Sequence, residues 1–151
     1  MSRPKAHTLY NARVSEPGRI YLVTSITDNR RPLFADWRAG RLVVEQFISA
    51  DNEGLAGSLV WVVMPDHFHW LFELKNTSLG EVMSRIKSRS SRAINQYRNQ
   101  SGRVWQKGYH ERTVRREEDL KKIGRYVVAN PLRARLVEHV GDYPLWDAIW
   151  V

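Results

Sequence analysis

The stretch that most limits what this chain can fold into is residues 61–74. An apolar, β-branched run ends at Met64-Pro65-Asp66, and the chain continues directly into His67-Phe68-His69-Trp70-Leu71-Phe72-Glu73-Leu74. So short a link cannot hold a crossover helix, so strands over 59–64 and 67–74 should pair as an antiparallel hairpin. Side chains alternate faces along a strand. Phe68, Trp70, Phe72 and Leu74 therefore share one face, which is a core, and His67, His69, Leu71 and Glu73 share the other. The two imidazoles stand about 7 Å apart along the strand. That spacing suits a divalent metal held at a sheet surface with positions open to a substrate. Taken alone, a His-x-His pattern is short, and two histidines on a wet sheet face is the more economical explanation.

The remaining elements follow from periodicity and punctuation. Residues 19–27 are dense in β-branched and aromatic side chains and read as a strand. A helix is expected from Asp36 or Arg38 to Ala50, with Leu42, Val43, Gln46 and Phe47 near helical spacing. Ser78-Leu79-Gly80-Glu81 is a capping box that opens a second helix. Its apolar stripe holds Leu79, Val82, Met83, Ile86, Ala93, Ile94 and Tyr97, and it should end near Gly102. A short last strand is placed at 109–114. Residues 117–130 form a helix that buries Leu120, Ile123, Val127 and Val128. Pro131 stops it or opens another turn with Asn130 as its cap, and 133–137 are expected to be helical. A tail with Tyr143-Pro144-Leu145-Trp146 and Trp150 follows. The order β-α-β-β-α-β-α predicts an α+β fold, a ferredoxin-like antiparallel sheet with packed helices. At 151 residues it is expected to be one domain, 1–151, with an N-terminal arm and a C-terminal tail.

Charge points to the partner. The net charge is +8, from 24 Lys and Arg against 16 Asp and Glu. Lys and Arg are absent from 42–73 and concentrate in 85–98 and 103–135, with a smaller set at the N-terminus. A basic periphery around a neutral core favours a polyanion, nucleic acid above all. Arg3 and Lys5 in the arm, Arg85, Lys87, Arg89 and Arg92 on the capped helix, and Lys122 are the expected phosphate contacts. A solvated helix face is the alternative for the helical set. The chain has no cysteine, which excludes disulfides, thiolate zinc sites and thiol catalysis. The first ten residues lack the apolar run of a signal peptide, and no segment approaches a membrane span. The expectation is a cytoplasmic, nucleoid-associated protein without membrane contact.

Asp119, Lys122, Tyr126 and Asn130 are spaced three, four and four, so they share a helix face. A tyrosine on such a polar stripe is unusual company for a core. If that face lies over His67 and His69, two imidazoles can bind a metal. The Asn130 amide oxygen can complete the protein ligands, unless it caps the next turn, and a phenol stands beside them. A phenol has a pKa of about 10 and needs help at neutral pH. Mg²⁺ or Mn²⁺ polarises a phosphate, and a phosphotyrosine stores the bond energy for rejoining. Tyr97 and Tyr109 are rival nucleophiles. Tyr97 falls on its helix's apolar stripe, and Tyr109 has no polar helical stripe around it. His110 and Glu111 either support the site or brace the last strand. Trp105 either stacks on an unpaired base or is buried.

Four stretches occur in a telling order. They are Gly18-Arg19-Ile20-Tyr21-Leu22-Val23-Thr24, then 61–74 with Met-Pro-Asp-His-Phe-His, then Trp105-Gln106-Lys107-Gly108-Tyr109-His110-Glu111-Arg112, then Tyr126-Val127-Val128-Ala129-Asn130-Pro131. Together they resemble the REP-associated tyrosine transposases of bacteria, single-tyrosine transposases of the HUH superfamily, over most of the chain. The resemblance implies the HUH nuclease fold, with His67 and His69 as metal ligands and Tyr126 as nucleophile. Asn130 stands where related transposases carry a polar third ligand, commonly Gln. It further implies cleavage of single-stranded DNA near imperfect hairpins of repetitive extragenic palindromes. A 5′ phosphate is joined to tyrosine, a 3′-OH is freed, and religation follows. Mg²⁺ or Mn²⁺ is the implied cofactor, with no small-molecule cofactor, and monomer and dimer both stay open. Two other classes compete: a non-catalytic nucleic-acid-binding regulator of the same fold, and a metallohydrolase of small phosphate esters.

Overall fold

The computed structural model describes residues 18–149. Arg3, Lys5 and Trp150 lie outside the described residues. The elements are β1 (Ile20–Ile26), α1 (Trp37–Asn52), β2 (Ala56–Met64), β3 (His67–Leu74), α2 (Leu79–Arg98), β4 (His110–Val114), α3 (Glu117–Val128), α4 (Asn130–Arg133) and β5 (Trp146–Ala148). The five strands form one antiparallel sheet in the order β4-β1-β3-β2-β5. This is the expected α+β fold with an added edge. The β2–β3 hairpin pairs Met64 with His67 and runs to Ala56 opposite Leu74, with one register shift between Ser58 and Val60.

Helices α1 and α2 cover one face of the sheet. Phe47 of α1 meets the rings of Trp61, Phe68 and Trp70, with centroids 5.7, 5.0 and 4.7 Å away. Phe47, Phe68, Trp70 and Phe72 are fully buried, and truncating a phenylalanine at such a site costs about 3–5 kcal/mol. The histidine face is covered too, contrary to a wet surface. Helix α3 packs on β2 and β5, with Ile123 and Val127 buried. Val60, Val62 and Leu71 on that face are fully enclosed.

Local chemistry sets the helix ends. Asp36 caps α1 by accepting from the Arg38 amide at 3.0 Å, and Ser78 caps α2 by accepting from the Glu81 amide at 3.1 Å. Replacing such a cap by alanine costs about 1 kcal/mol. Helix α2 ends at Arg98, earlier than the predicted Gly102. Asn99 takes the left-handed conformation, φ 55°, and its N–H reaches the Asn95 and Gln96 carbonyls. Asparagine tolerates that conformation better than other non-glycine residues. Tyr97 is exposed rather than on the apolar stripe, and its hydroxyl donates to Asp36 Oδ2 at 2.8 Å.

The helical turn expected at 133–137 occurs earlier, as α4. Pro131 fits the start of a helix, where no N–H is needed, and Arg135 at φ 60° ends it. Helix α3 likewise stops at Val128, so Ala129 separates Tyr126 and Asn130 onto two helices. Beyond α4 the chain returns over α1. Tyr143 Oη donates to the Val63 carbonyl at 2.5 Å, and the Val63 amide donates to the Leu145 carbonyl at 2.9 Å. Gly40 lets Leu145 pack close to α1, because a Cβ there would lie 2.5 Å from Leu145 Cδ1 and the leucine would have to shift.

Candidate active site

One cross-strand row organises the site. His110 pairs with Thr24, Thr24 with His69, His69 with Val62, and Val62 with Trp146. Paired residues point to the same side of a sheet, so these side chains share the histidine face. Thr24 Oγ1 lies 2.7 Å from His69 Nδ1. His67 Nδ1 lies 2.7 Å from Asp66 Oδ1, and Arg30 donates to Asp66 Oδ2 at 2.9 Å. The two imidazoles stand edge to face, centroids 4.9 Å apart. The Asp66 carboxylate can only accept, so His67 Nδ1 carries the hydrogen and Nε2 of the neutral ring keeps its lone pair. The Thr24 hydroxyl can accept or donate, and where it accepts from His69 Nδ1–H the His69 Nε2 is left free in the same way.

Electrostatics favour the neutral form of His69 and the anionic form of Asp66. Burial pushes the His69 imidazolium pKa down to about 4, assisted by the neighbouring His67 and Arg133. His69 is therefore neutral at physiological pH, the form that ligates a metal. Burial works to raise the Asp66 pKa, but the His67 and Arg30 hydrogen bonds and charges together leave it lowered. Asp66 is thus an anion facing His67.

Tyr126 stands on α3 with 56% of its surface exposed. The Arg133 guanidinium carbon sits over its ring, 3.8 Å from the centroid, and Nη2 donates to the Tyr126 carbonyl at 2.8 Å. Arg133 is also one of the charges acting on His69. One arginine thereby links the tyrosine and the histidine pair. Asn130 does not cap α4. Its Nδ2 reaches back to the Val127 carbonyl at 3.2 Å and to that of Tyr126 at 3.5 Å. With the amide nitrogen committed to carbonyls, Oδ1 is the atom left to accept or ligate. On the same stripe Asp119 is half-buried and Lys122 exposed.

The atoms of these residues that could ligate a metal are the two imidazole Nε2 atoms and the Asn130 amide oxygen. Among the described residues no three His, Asp or Glu side chains cluster as a metal-binding group. A cation held by so few protein ligands keeps positions for phosphate oxygens and water, which matches the habit of Mg²⁺ and the oxygen- and imidazole-tolerant Mn²⁺. A cavity of about 500 Å³ lies on another flank of α3, lined among others by Lys121, Gly124, Arg125 and Val128, and does not include Tyr126 or either histidine.

The other expected residues separate by position. His110 is exposed and lies on the histidine face, one strand beyond Thr24. Glu111 pairs with Val23 and so points to the opposite face, under the helices. Tyr109 is near it, and burial, then Glu111, then Tyr21, push its phenol up to about 12. That makes Tyr109 a poor nucleophile. Trp105 is buried, 5.5 Å from Phe34 and 5.3 Å from Phe68, and its Nε1 donates to Ser90 Oγ at 2.9 Å. It stacks inside the core rather than on a base.

On α2, Glu53 takes up both Arg85 and Arg89, at 3.1 and 2.9 Å. Lys87 is half-buried, donating to the Gln106 and Gly108 carbonyls at 2.8 and 2.6 Å. Burial, then Arg103, lower its pKa. Arg92 is exposed and donates to Ser88 Oγ at 3.1 Å. Sequence reasoning passed over Thr24, Asp66, Arg30 and Arg133. Asp66 was detectable, as a carboxylate adjoining His67. Thr24 needed the β1–β3 register, and Arg133 needed the break at Ala129.

Residues 19–130 match the family model described as IS200-like transposase. The chain belongs to that family. Among solved structures, the chain is similar to a REP-associated tyrosine transposase bound to a REP hairpin. The TM-score is 0.76 at 20% identity, over 97% of this chain and 82% of that one. A putative transposase from Deinococcus radiodurans R1 gives a TM-score of 0.56 at 19% identity, over 84% of this chain and 95% of that one. Identities this low establish a common fold. No curated protein sequence matches this transposase at a significant level. Among its described residues no helix is long and apolar enough to cross a membrane.

Proposed function

We propose that this IS200-like transposase is a metal-dependent endonuclease and strand transferase of single-stranded DNA, acting at palindromic, REP-like hairpins through a phosphotyrosine on Tyr126. His67, His69 and Asn130 Oδ1 are the metal ligands, and residues 1–151 act as one unit. The carrying observation is Arg133, which lies on the Tyr126 ring and also acts electrostatically on His69. That shared neighbour supports reading the nucleophile and the metal donors as one site. The hairpin partner is supported by the folded relative that binds a REP hairpin.

The chemistry follows from the residues. Tyr126 is exposed, so a DNA strand can reach its hydroxyl. Attack of Oη on phosphorus forms the P–O(Tyr) bond as the P–O3′ bond breaks. The phenol proton is lost to solvent, and the departing 3′ oxygen gains one. The 5′ phosphate stays on Tyr126 until a 3′-OH attacks in reverse. Thr24 and Asp66 engage the two Nδ1 atoms, which leaves both Nε2 atoms to the metal. When bound there, Mg²⁺ or Mn²⁺ would polarise the scissile phosphate and offset charge at the leaving oxygen.

The deciding experiment uses 5′- and 3′-labelled single-stranded hairpins from repeats near the gene, with Mn²⁺, resolved on denaturing gels. The expected result is a protein-linked band carrying the DNA 3′ of the cut, absent in Tyr126→Phe and with chelator. Binding without an adduct, in either metal and across several hairpins, would instead indicate a regulator.

A further inference from the structure

We infer that Arg133 is the anion-binding group of the site, gripping a non-bridging oxygen of the scissile phosphodiester while Tyr126 attacks it. The inference rests on the proposed function and adds a substrate-contacting residue to it. The side chain is exposed, yet two contacts fix its place: the Tyr126 carbonyl at 2.8 Å and the Tyr126 ring at 3.8 Å. A guanidinium carries five N–H donors in a planar fork. Nη2 serves the carbonyl, which leaves another edge of the fork for an anion.

The charge around Arg133 is unbalanced. Arg30, Arg85 and Arg89 each sit on a carboxylate. Among the described residues Arg133 forms no such pair, and the group it lies against is the Tyr126 phenol ring. A guanidinium held on that ring with no carboxylate on it is free to meet a substrate anion. A phosphodiester attacked by Tyr126 Oη must pass within reach of the residue lying on that ring. The transition state concentrates charge on the non-bridging oxygens, and a planar two-donor fork matches two of them better than an ammonium does. The competing explanation is structural. An arginine near a helix C-terminus can simply cap its last carbonyls.

A coupling experiment separates the two. Covalent-adduct formation is timed at saturating protein for wild type, Arg133→Ala, Arg133→Gln and Arg133→Lys. The hairpin carries at its cut site either the native phosphodiester or each stereoisomer of a methylphosphonate, which lacks one non-bridging oxygen. On the native linkage the alanine and glutamine variants are expected to be about 10²–10³-fold slower, the usual loss of one oxyanion donor, and lysine should restore only part. One methylphosphonate isomer should slow wild type strongly and slow Arg133→Ala little further, since both changes remove the same contact. Equal slowing of wild type and variant by both isomers, or native-linkage rates unchanged in the variants, would overturn the inference and leave Arg133 a cap. If Arg133→Ala unfolds, Arg133→Gln, which retains part of the stem, carries the same comparison. Absence of any adduct in wild type would remove the functional reading and this inference together.

Discussion

Thr24 Oγ1 and His69 Nδ1 lie 2.7 Å apart across the β1–β3 register, so a strand neighbour holds the ring of a candidate metal ligand by its Nδ1. Thr24→Val keeps the β-branched shape and deletes the acceptor. Loss of such a supporting contact typically costs about 10–100-fold in metal affinity or activity. Mn²⁺ titration followed by calorimetry should show a loss in that range for valine and near-normal affinity for serine. Equal affinity for all three proteins would mean the hydroxyl plays no part in holding His69.

Asp66 does the corresponding work for His67 and is itself held by Arg30. Asp66→Asn retains a hydrogen-bonding group and removes the charge. Metal affinity should fall about 10-fold or more. Arg30→Ala should cost less, because it removes a neighbour of Asp66 rather than the partner of the ligand. The same titration ranks the two, and an Arg30 effect exceeding that of Asp66 would contradict this order.

His69 also gives stability a pH dependence. Its pKa is about 4 in the folded chain against 6.5 as the ordinary value. Between those limits the unfolded chain binds the extra proton, so stability falls as pH drops from about 6.5 toward 4 and is retained above. His69→Gln should flatten that decline. Urea midpoints of the metal-free protein at pH 7.5 and pH 5 measure it; an equally steep loss in the variant would show that His69 is not its source.

Glu53 neutralises Arg85 and Arg89 on α2. If that face follows DNA, Glu53→Gln frees two cations. Affinity for single strands should then rise at low salt. The slope of log K against log salt should steepen by about 0.7 for each phosphate newly contacted. Binding isotherms at several salt concentrations test this, and superimposable slopes would place α2 away from the DNA path.

Much of this arrangement was legible in the sequence for definite reasons. The two-residue link before His67 compelled a hairpin, and period-two alternation put His67 and His69 on one face. Other features could not be read locally. β5 is only three residues long and carries no periodic signal. Glu111 was indistinguishable from His110 until pairing with Val23 turned it to the opposite face. Tyr97 fitted an apolar stripe by spacing, but near the end of α2 that stripe runs out into solvent, where Asp36 receives its hydroxyl. Arg133 lies seven positions beyond Tyr126 across a helix break, so only the turn at Ala129 brings it back onto the ring.

The three residues of β5 have a practical consequence for handling the protein. They pair with Val60, Trp61 and Val62, the outer side of β2. Without them a long, apolar strand would offer its free amides and carbonyls to any other chain, the usual route to edge-to-edge aggregation. Expression of a chain cut before Tyr143 should therefore yield insoluble material even though every residue assigned to the chemistry is still present. A purification handle is better placed ahead of β1 than directly behind β5.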